Sequence, residues 1–242
     1  MGRFRLKELK RNNMIISKNS LQIVKLCLPD KNIPQLNCVC ITPDGAVYAA
    51  NSHCTGVVSP LSKEQVGLIP LTNNIVHEPI ILSADNVRTI LNNIPKDTQF
   101  KGLLEHCDIV QNDASDQKID VVITNGKAEN KLTMRRFARS FPINLDVAFK
   151  GCNQLLKPME LVCINRKRLG NIQVVLDKVC SYDGTFAPVW LYCIDDRIML
   201  RSVNELTRQT VIFLFPPSET DFFPFTPFEL QLFGQRKAIK IK

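Results

Sequence analysis

The side chains here that could carry covalent or metal chemistry are nine cysteines, three histidines and two small acidic groups. Cys38 and Cys40 stand two apart in a strand-like run and so share a face. No second cysteine pair with ligand spacing accompanies them, and His53, His77 and His106 are scattered. No metal or other cofactor is expected. The other cysteines are Cys27, Cys54, Cys107, Cys152, Cys163, Cys180 and Cys193, mostly inside apolar runs. An odd number of thiols so placed points to free, buried cysteines in a reducing compartment, not to a disulfide framework. Asp195-Asp196 and the pair Asp113 and Asp116 fall in turn-like or polar stretches, where carboxylates face water. The ten glycines are dispersed, with no phosphate-cradling loop, and no Gly-x-Ser-x-Gly elbow occurs. The chemistry that remains is non-covalent: cations and amides that could meet phosphate.

Those residues sit on amphipathic helices. Ser83 reads as an N-cap, and Val87, Ile90, Leu91 and Ile94 then fall on one helical face. Arg88, Asn92 and Lys96 lie on or beside the opposite face, and Pro95 ends the segment. Asn165 reads as a second cap, ahead of Leu169, Ile172, Leu176 and Val179 on the inward face. Lys167, Asn171 and Lys178 project the other way, flanked by Arg166 and Arg168. A third helix is predicted over 145–156, with Phe149, Cys152 and Leu156 inward and Lys150 and Gln154 outward.

The elements around these helices form a doubled unit. Residues 78–142 read as strand (Ile80–Leu82), helix, then short strands around 99–104, 108–111, 121–124 and 131–135, closing on Phe141-Pro142. Residues 160–216 read as strand (Leu161–Ile164), helix, then strands over 189–194, 198–203 and 210–214, closing on Phe215-Pro216. Ahead of them, 14–30 predicts a short helix, and strands are predicted over 36–42, 46–51 and 56–61, the first two joined by Pro43-Asp44-Gly45. Residues 62–77 read as loop. The fold class is α+β, with repeated strand–helix–strand units and helices on one face of antiparallel sheets. The expected division is a basic tail at 1–13, a first domain at 14–142, a shorter second domain at 143–217 and a Phe/Pro-rich, basic tail at 218–242.

Charge is concentrated at the ends. The formal net charge is +8, and residues 1–12 and 235–242 contribute +4 each, so the body is neutral. Basic ends of this kind can bind polyanions. Five phenylalanines lie between Phe222 and Phe233, and the interspersed Pro224 and Pro227 exclude a regular helix there. So apolar a tail is expected to pack on its own body or on a partner. No run approaches the ~20 apolar residues that span a bilayer, so no membrane partner is expected. The basic N-terminus has no apolar stretch of signal-peptide type behind it.

The segment EPIILSADNVRTILNNIPKD resembles the strand–helix segment of DNA sliding clamps, in particular of the bacterial beta-subunit type. IDVVITNGKAENKLTMRRFARSFP resembles their glycine-containing hairpin and domain-ending Phe-Pro. ITPDGAVYAANSHCTGVV resembles an earlier hairpin, with Ala50-Asn51-Ser52 where an Ala-Thr-Asp run is usual, and VIFLFP resembles the terminal strand. The likeness spans about residues 17–216, in a chain with room for at most two of the three domains of bacterial clamps.

The resemblance implies a non-enzymatic protein that encircles duplex DNA and holds a DNA polymerase or other clamp-binding proteins on it. Arg88, Asn92, Lys96, Lys150, Gln154, Lys167, Asn171 and Lys178 would meet phosphates without reading bases. Leu214, Phe215 and Pro216 would help line the pocket for a partner peptide. Leu230, Gln231, Leu232 and Phe233 themselves resemble such a peptide. The implied setting is the cytoplasm of a bacterial or phage system, and the implied assembly a homo-oligomeric ring. Two alternatives stand beside it: a monomeric clamp-fold adaptor or decoy that binds replication proteins without encircling DNA, and an enzyme on an unrelated α+β fold.

Overall fold

A computed structural model describes residues 14–27, 33–52, 54–61, 76, 78–96, 105–112, 114–124, 129–148, 166–180, 189–194, 197–204 and 207–215. The chain opens with a strand, β1 (Met14–Ser17), not with the helix expected there. Met14, Ile15 and Ile16 are all buried. A strand covered on both faces shows no alternation, so its apolar run cannot be told from a helix by pattern alone. Ser17 then caps α1 (Lys18–Leu21), its Oγ accepting from the Ser20 amide, and the chain continues as a 3-10 helix through Leu26. Three strands follow: β2 (Cys38–Ile41), β3 (Val47–Asn51) and β4 (Cys54–Val58). Gly45, with φ of +91°, makes the β2–β3 turn, a conformation in which a side chain would be strained.

The same order recurs at once. β5 (Ile80–Ser83) leads into α2 (Ala84–Asn93), and Ser83 Oγ accepts from the Asn86 amide at 3.2 Å, as the sequence predicts. Then come β6 (His106–Gln111), β7 (Lys118–Thr124) and β8 (Glu129–Arg135). A one-turn helix, α3 (Leu145–Ala148), precedes α4 (Arg166–Val179), β9 (Val189–Ile194), β10 (Arg197–Val203) and β11 (Thr210–Phe215). The unit of strand, helix and three strands therefore also occupies 14–58, ahead of the two stretches where the sequence shows it. The strand expected near 99–104, the Asn125-Gly126 turn, Leu161–Ile164 and the cap Asn165 lie outside the described residues.

The two leading strands exchange. β1 pairs with β6, and β5 pairs with β2, both antiparallel. One sheet runs β1-β6-β7-β8 and the other β5-β2-β3-β4-β11-β10-β9. The longer sheet is built from both ends of the sequence, joined where β4 meets β11 with Gly56 opposite Phe213. The Phe213 ring covers the bare backbone of Gly56, and Leu26 closes over the same spot.

A single large core contains residues of both sheets and of α2, α4 and the 3-10 helix. A buried polar network ties the third unit to the first. Gln209 Nε2 donates to Ser20 Oγ at 2.7 Å and to the Ser59 carbonyl at 2.8 Å, while Ser17 Oγ donates to Gln209 Oε1 at 3.0 Å. Its members satisfy one another, as buried polar groups must.

Candidate functional site

The helices gather in one layer. The 3-10 helix is central, touching both α2 and α4, and α1 touches both as well. Their apolar sides point into the core: Ile23, Val24 and Leu26, then Val87, Ile90 and Ile94, then Ile172, Val175 and Val179. One expectation for α4 fails. Leu169 is 37% exposed, and Val175 is buried instead. The face turns because the helix packs on the 3-10 helix as well as on β11, so position 175 is drawn inward.

Arg88, Asn92 and Lys96 are exposed, as the sequence implies, and so are Asn171 and Lys178. Lys167 lies in α4, but its side chain falls outside the described residues, as do Lys150 and Gln154 entirely. The charges of α1, the 3-10 helix, α2 and α4 are Lys18, Lys25, Arg88, Arg166, Lys167, Arg168 and Lys178 against Asp85 and Asp177. This cationic surplus sits on a body that is neutral as a whole.

Not every cation is equally available. Arg88 Nη1 pairs with Asp85 at 2.7 Å, and Nη2 reaches the Cys27 carbonyl at 3.4 Å. Lys18 pairs with Glu105 at 3.2 Å and donates to the Ile94 carbonyl at 3.1 Å, fastening the end of α2. Thr89 and Asn93 turn back to carbonyls of their own helix.

The other face of the long sheet is also apolar. Pairing puts Ile81, Cys40, Tyr48, Val57, Ile212, Arg201 and Trp190 in one row across its seven strands. Ala50, Thr55, Leu214, Met199 and Tyr192 form the adjacent row. Met199 and Leu214 make a small cluster apart from the core, with Tyr192 and Ile212 against it. Arg201 lies 5.2 Å from the Trp190 ring centroid, a cation–π contact. The expected pocket residues are therefore split by strand alternation. Leu214 faces outward with this cluster, whereas Phe215 is buried in the main core. Pro216 and the segment Leu230–Phe233 lie outside the described residues.

The described thiols are unsuited to nucleophilic work. Cys27, Cys38, Cys40, Cys54, Cys107 and Cys180 are free and buried. Burial pushes Cys27 up to about 12, and Cys38 and Cys40 to about 11. Cys107 and Cys180 are also raised, chiefly by burial. Cys27 Sγ donates to the Cys38 carbonyl at 3.3 Å, and Cys38 Sγ to that of Gln35 at 3.0 Å. Because the thiolate is the reactive form, these six should resist maleimide at pH 8 in the native protein and label promptly in denaturant. Peptide mapping by mass spectrometry reads the difference; fast native labelling of Cys27 or Cys40 would contradict the burial described. Among the described residues no three His, Cys, Asp or Glu side chains are grouped to hold a metal ion. No helix among them is long and apolar enough to cross a membrane.

No family model matches this chain, and no curated protein matches it. Solved structures do. A. fulgidus PCNA bound to the C-terminal region of FEN-1 matches with 11% identity and a TM-score of 0.43, over 87% of this chain and 99% of the other. The Bacillus subtilis DNA polymerase sliding clamp matches with 15% identity and a TM-score of 0.39, over 89% of this chain and 67% of the other. The H. pylori beta clamp in complex with diflunisal matches with 11% identity and a TM-score of 0.44, over 88% and 66%. All three are sliding clamps, the family that the sequence resembles.

Proposed function

We propose that this chain is a non-enzymatic sliding-clamp-like protein that holds partner proteins on duplex DNA through sequence-independent phosphate contacts. The observation that carries the reading is the helix layer: the helices of all three units lie together, and their charges are predominantly cationic. Cations on a rigid helical surface attract the phosphate backbone by counterion release, and short polar side chains add contacts without base readout. Such a surface holds DNA yet lets it slide. Arg88, Asn92, Lys96, Asn171 and Lys178, with Lys167, Lys150 and Gln154, are the proposed contacts. The apolar outer face around Leu214, Met199 and Tyr192 is the proposed seat for a partner peptide, such as one carried by a DNA polymerase. The setting is the reducing cytoplasm, which suits the free thiols.

The test is duplex binding by the full chain, followed by fluorescence anisotropy over a salt series with two unrelated sequences. Replacing Arg166, Lys167 and Arg168 together by alanine should weaken both duplexes alike. The slope of log affinity against log salt should become shallower by about 2 to 3. No salt-sensitive duplex binding by the wild-type chain would remove the reading. A second reading, an adaptor that binds replication proteins without encircling DNA, draws on Arg88, whose guanidinium is already held by Asp85 and the Cys27 carbonyl. Retention on closed circular DNA but loss from the same DNA once linearised favours the clamp; no retention on either favours the adaptor.

A further inference from the structure

The two sheets have four edges: β1, β8, β5 and β9. Unpaired edges invite pairing with other chains, and proteins blunt them with charge, short length or cover. Three of these are blunted. β1 is buried along its length, and the Gly45 turn lies against its Ile15 carbonyl. β5 is four residues long, and the Phe137 amide donates to its Ile81 carbonyl at 2.8 Å. β8 exposes Glu129, Lys131 and Arg135. β9 differs: its sequence, Val-Trp-Leu-Tyr-Cys-Ile, has no charge, and Val189, Trp190 and Leu191 are 45%, 38% and 38% exposed.

The repeat says what belongs on that edge. β9 is the first strand after the helix of its unit, the position that β2 and β6 hold in theirs. In both of those units the edge is occupied by the leading strand of the opposite unit, β5 on β2 and β1 on β6. Both leading strands are uncharged four-residue runs, Ile-Ile-Leu-Ser and Met-Ile-Ile-Ser, each followed directly by a helix. Residues 161–164, Leu-Val-Cys-Ile, repeat that composition just ahead of α4. The first two units satisfy each other by this exchange. The third has no opposite number in the chain.

We propose that the β9 edge is a docking site for a second copy of this chain. Each copy lays residues 161–164 antiparallel along β9 of the other, so the exchange seen between the first two units becomes a true two-fold between the third units. The interface is isologous and uncharged, so the copies meet without like-charge repulsion. Pairing within one copy is disfavoured by the pattern itself, since neither described leading strand pairs with its own unit. This inference does not rest on DNA binding: a monomer that binds duplex would overturn it alone, and a dimer that does not would leave it standing.

Light scattering on the full chain at micromolar concentration should give twice the chain mass of 27.4 kDa. Trp190→Glu places a charge on the edge beside Arg201, which can pair with it, and should return the mass to that of one chain with the circular-dichroism spectrum retained. Val162→Pro, on the strand that docks, should do the same, and decides the matter if Trp190→Glu fails to fold. A wild-type monomer throughout the micromolar range would overturn the proposal. So would a dimer that persists in both folded variants.

Discussion

Phe213→Ala is expected to destabilise the protein by about 3–5 kcal/mol, the largest effect of any single substitution considered. Phe213 is fully buried on β11, directly opposite Gly56 on β4, at the junction that unites the two halves of the long sheet. Removing the ring leaves a void over bare glycine backbone, with Leu26 the nearest other cover. The partner position is sensitive in the opposite sense. A Cβ on Gly56 would stand 2.7 Å from Leu26 Cδ1 and 2.8 Å from Phe213 Cδ1 and Cε1. Both side chains are almost completely buried and have little room to yield. Gly56→Ala should therefore cost about 1–3 kcal/mol by overpacking. The double variant separates this from two unrelated injuries. The methyl group added at 56 fits the space vacated at 213, so the pair should cost less than the sum of the singles. Urea unfolding of the four proteins measures that coupling; strict additivity would mean that the two side chains do not compete for one space.

Asp120→Ala is the second large effect. Asp120 is buried in the middle of β7, between β6 and β8. Its carboxylate accepts from Asn112 Nδ2 at 3.0 Å and Thr133 Oγ1 at 2.7 Å, and pairs with Lys131 Nζ at 2.9 Å. Desolvation pushes its pKa upward, but the hydrogen bonds and charge of Lys131, Thr133 and Asn112 outweigh it, so the carboxyl is held below its usual range. Lys131 is 63% exposed and recovers water when its partner goes, so its share is small. The loss lies mainly in the bonds to the carboxylate, about 1–3 kcal/mol. The depressed pKa fixes the sign with pH. The stabilisation is present above the unfolded carboxyl value of about 3.9 and disappears as pH falls through the lower folded value. Wild type and Asp120→Asn should therefore differ in stability at neutral pH and converge in strong acid. A difference that stays constant from pH 7 to pH 2 would assign the effect to packing.

Local chemistry made much of the fold legible. Ser83 announces α2 because a hydroxyl before an apolar 3.6-residue pattern has one good use, and Pro95 marks its end. The α+β class and the antiparallel hairpins followed from turn residues and alternation. β1 was not legible, because Met14-Ile15-Ile16 is buried on both faces and carries no period. Missing it hid the first copy of the unit, whose helical part is only α1 and a 3-10 turn. The exchange of leading strands, and the meeting of β4 with β11, could not be read at all, since pairing partners far apart in sequence leave no local mark. The outward cations of α2 were visible as a pattern, but the hold of Asp85 on Arg88 was not. Alternation could have separated Leu214 from Phe215, because neighbours on a strand face opposite ways.

The seam between β4 and β11 also dictates a timetable. During synthesis, everything needed for the exchange between the first two units is available once Arg135 has left the ribosome. The outer edge of β4 must then wait for Thr210–Phe215, almost the last ordered segment to be made. Until it arrives, Gly56 lacks its aromatic cover and Ser20 lacks Gln209. Closing so distant a contact is slow, and an edge left waiting is open to wrong partners. A chain released early, or a ribosome stalled before β11, would present that edge to its neighbours, so the nascent protein should depend on chaperones far more than the finished one.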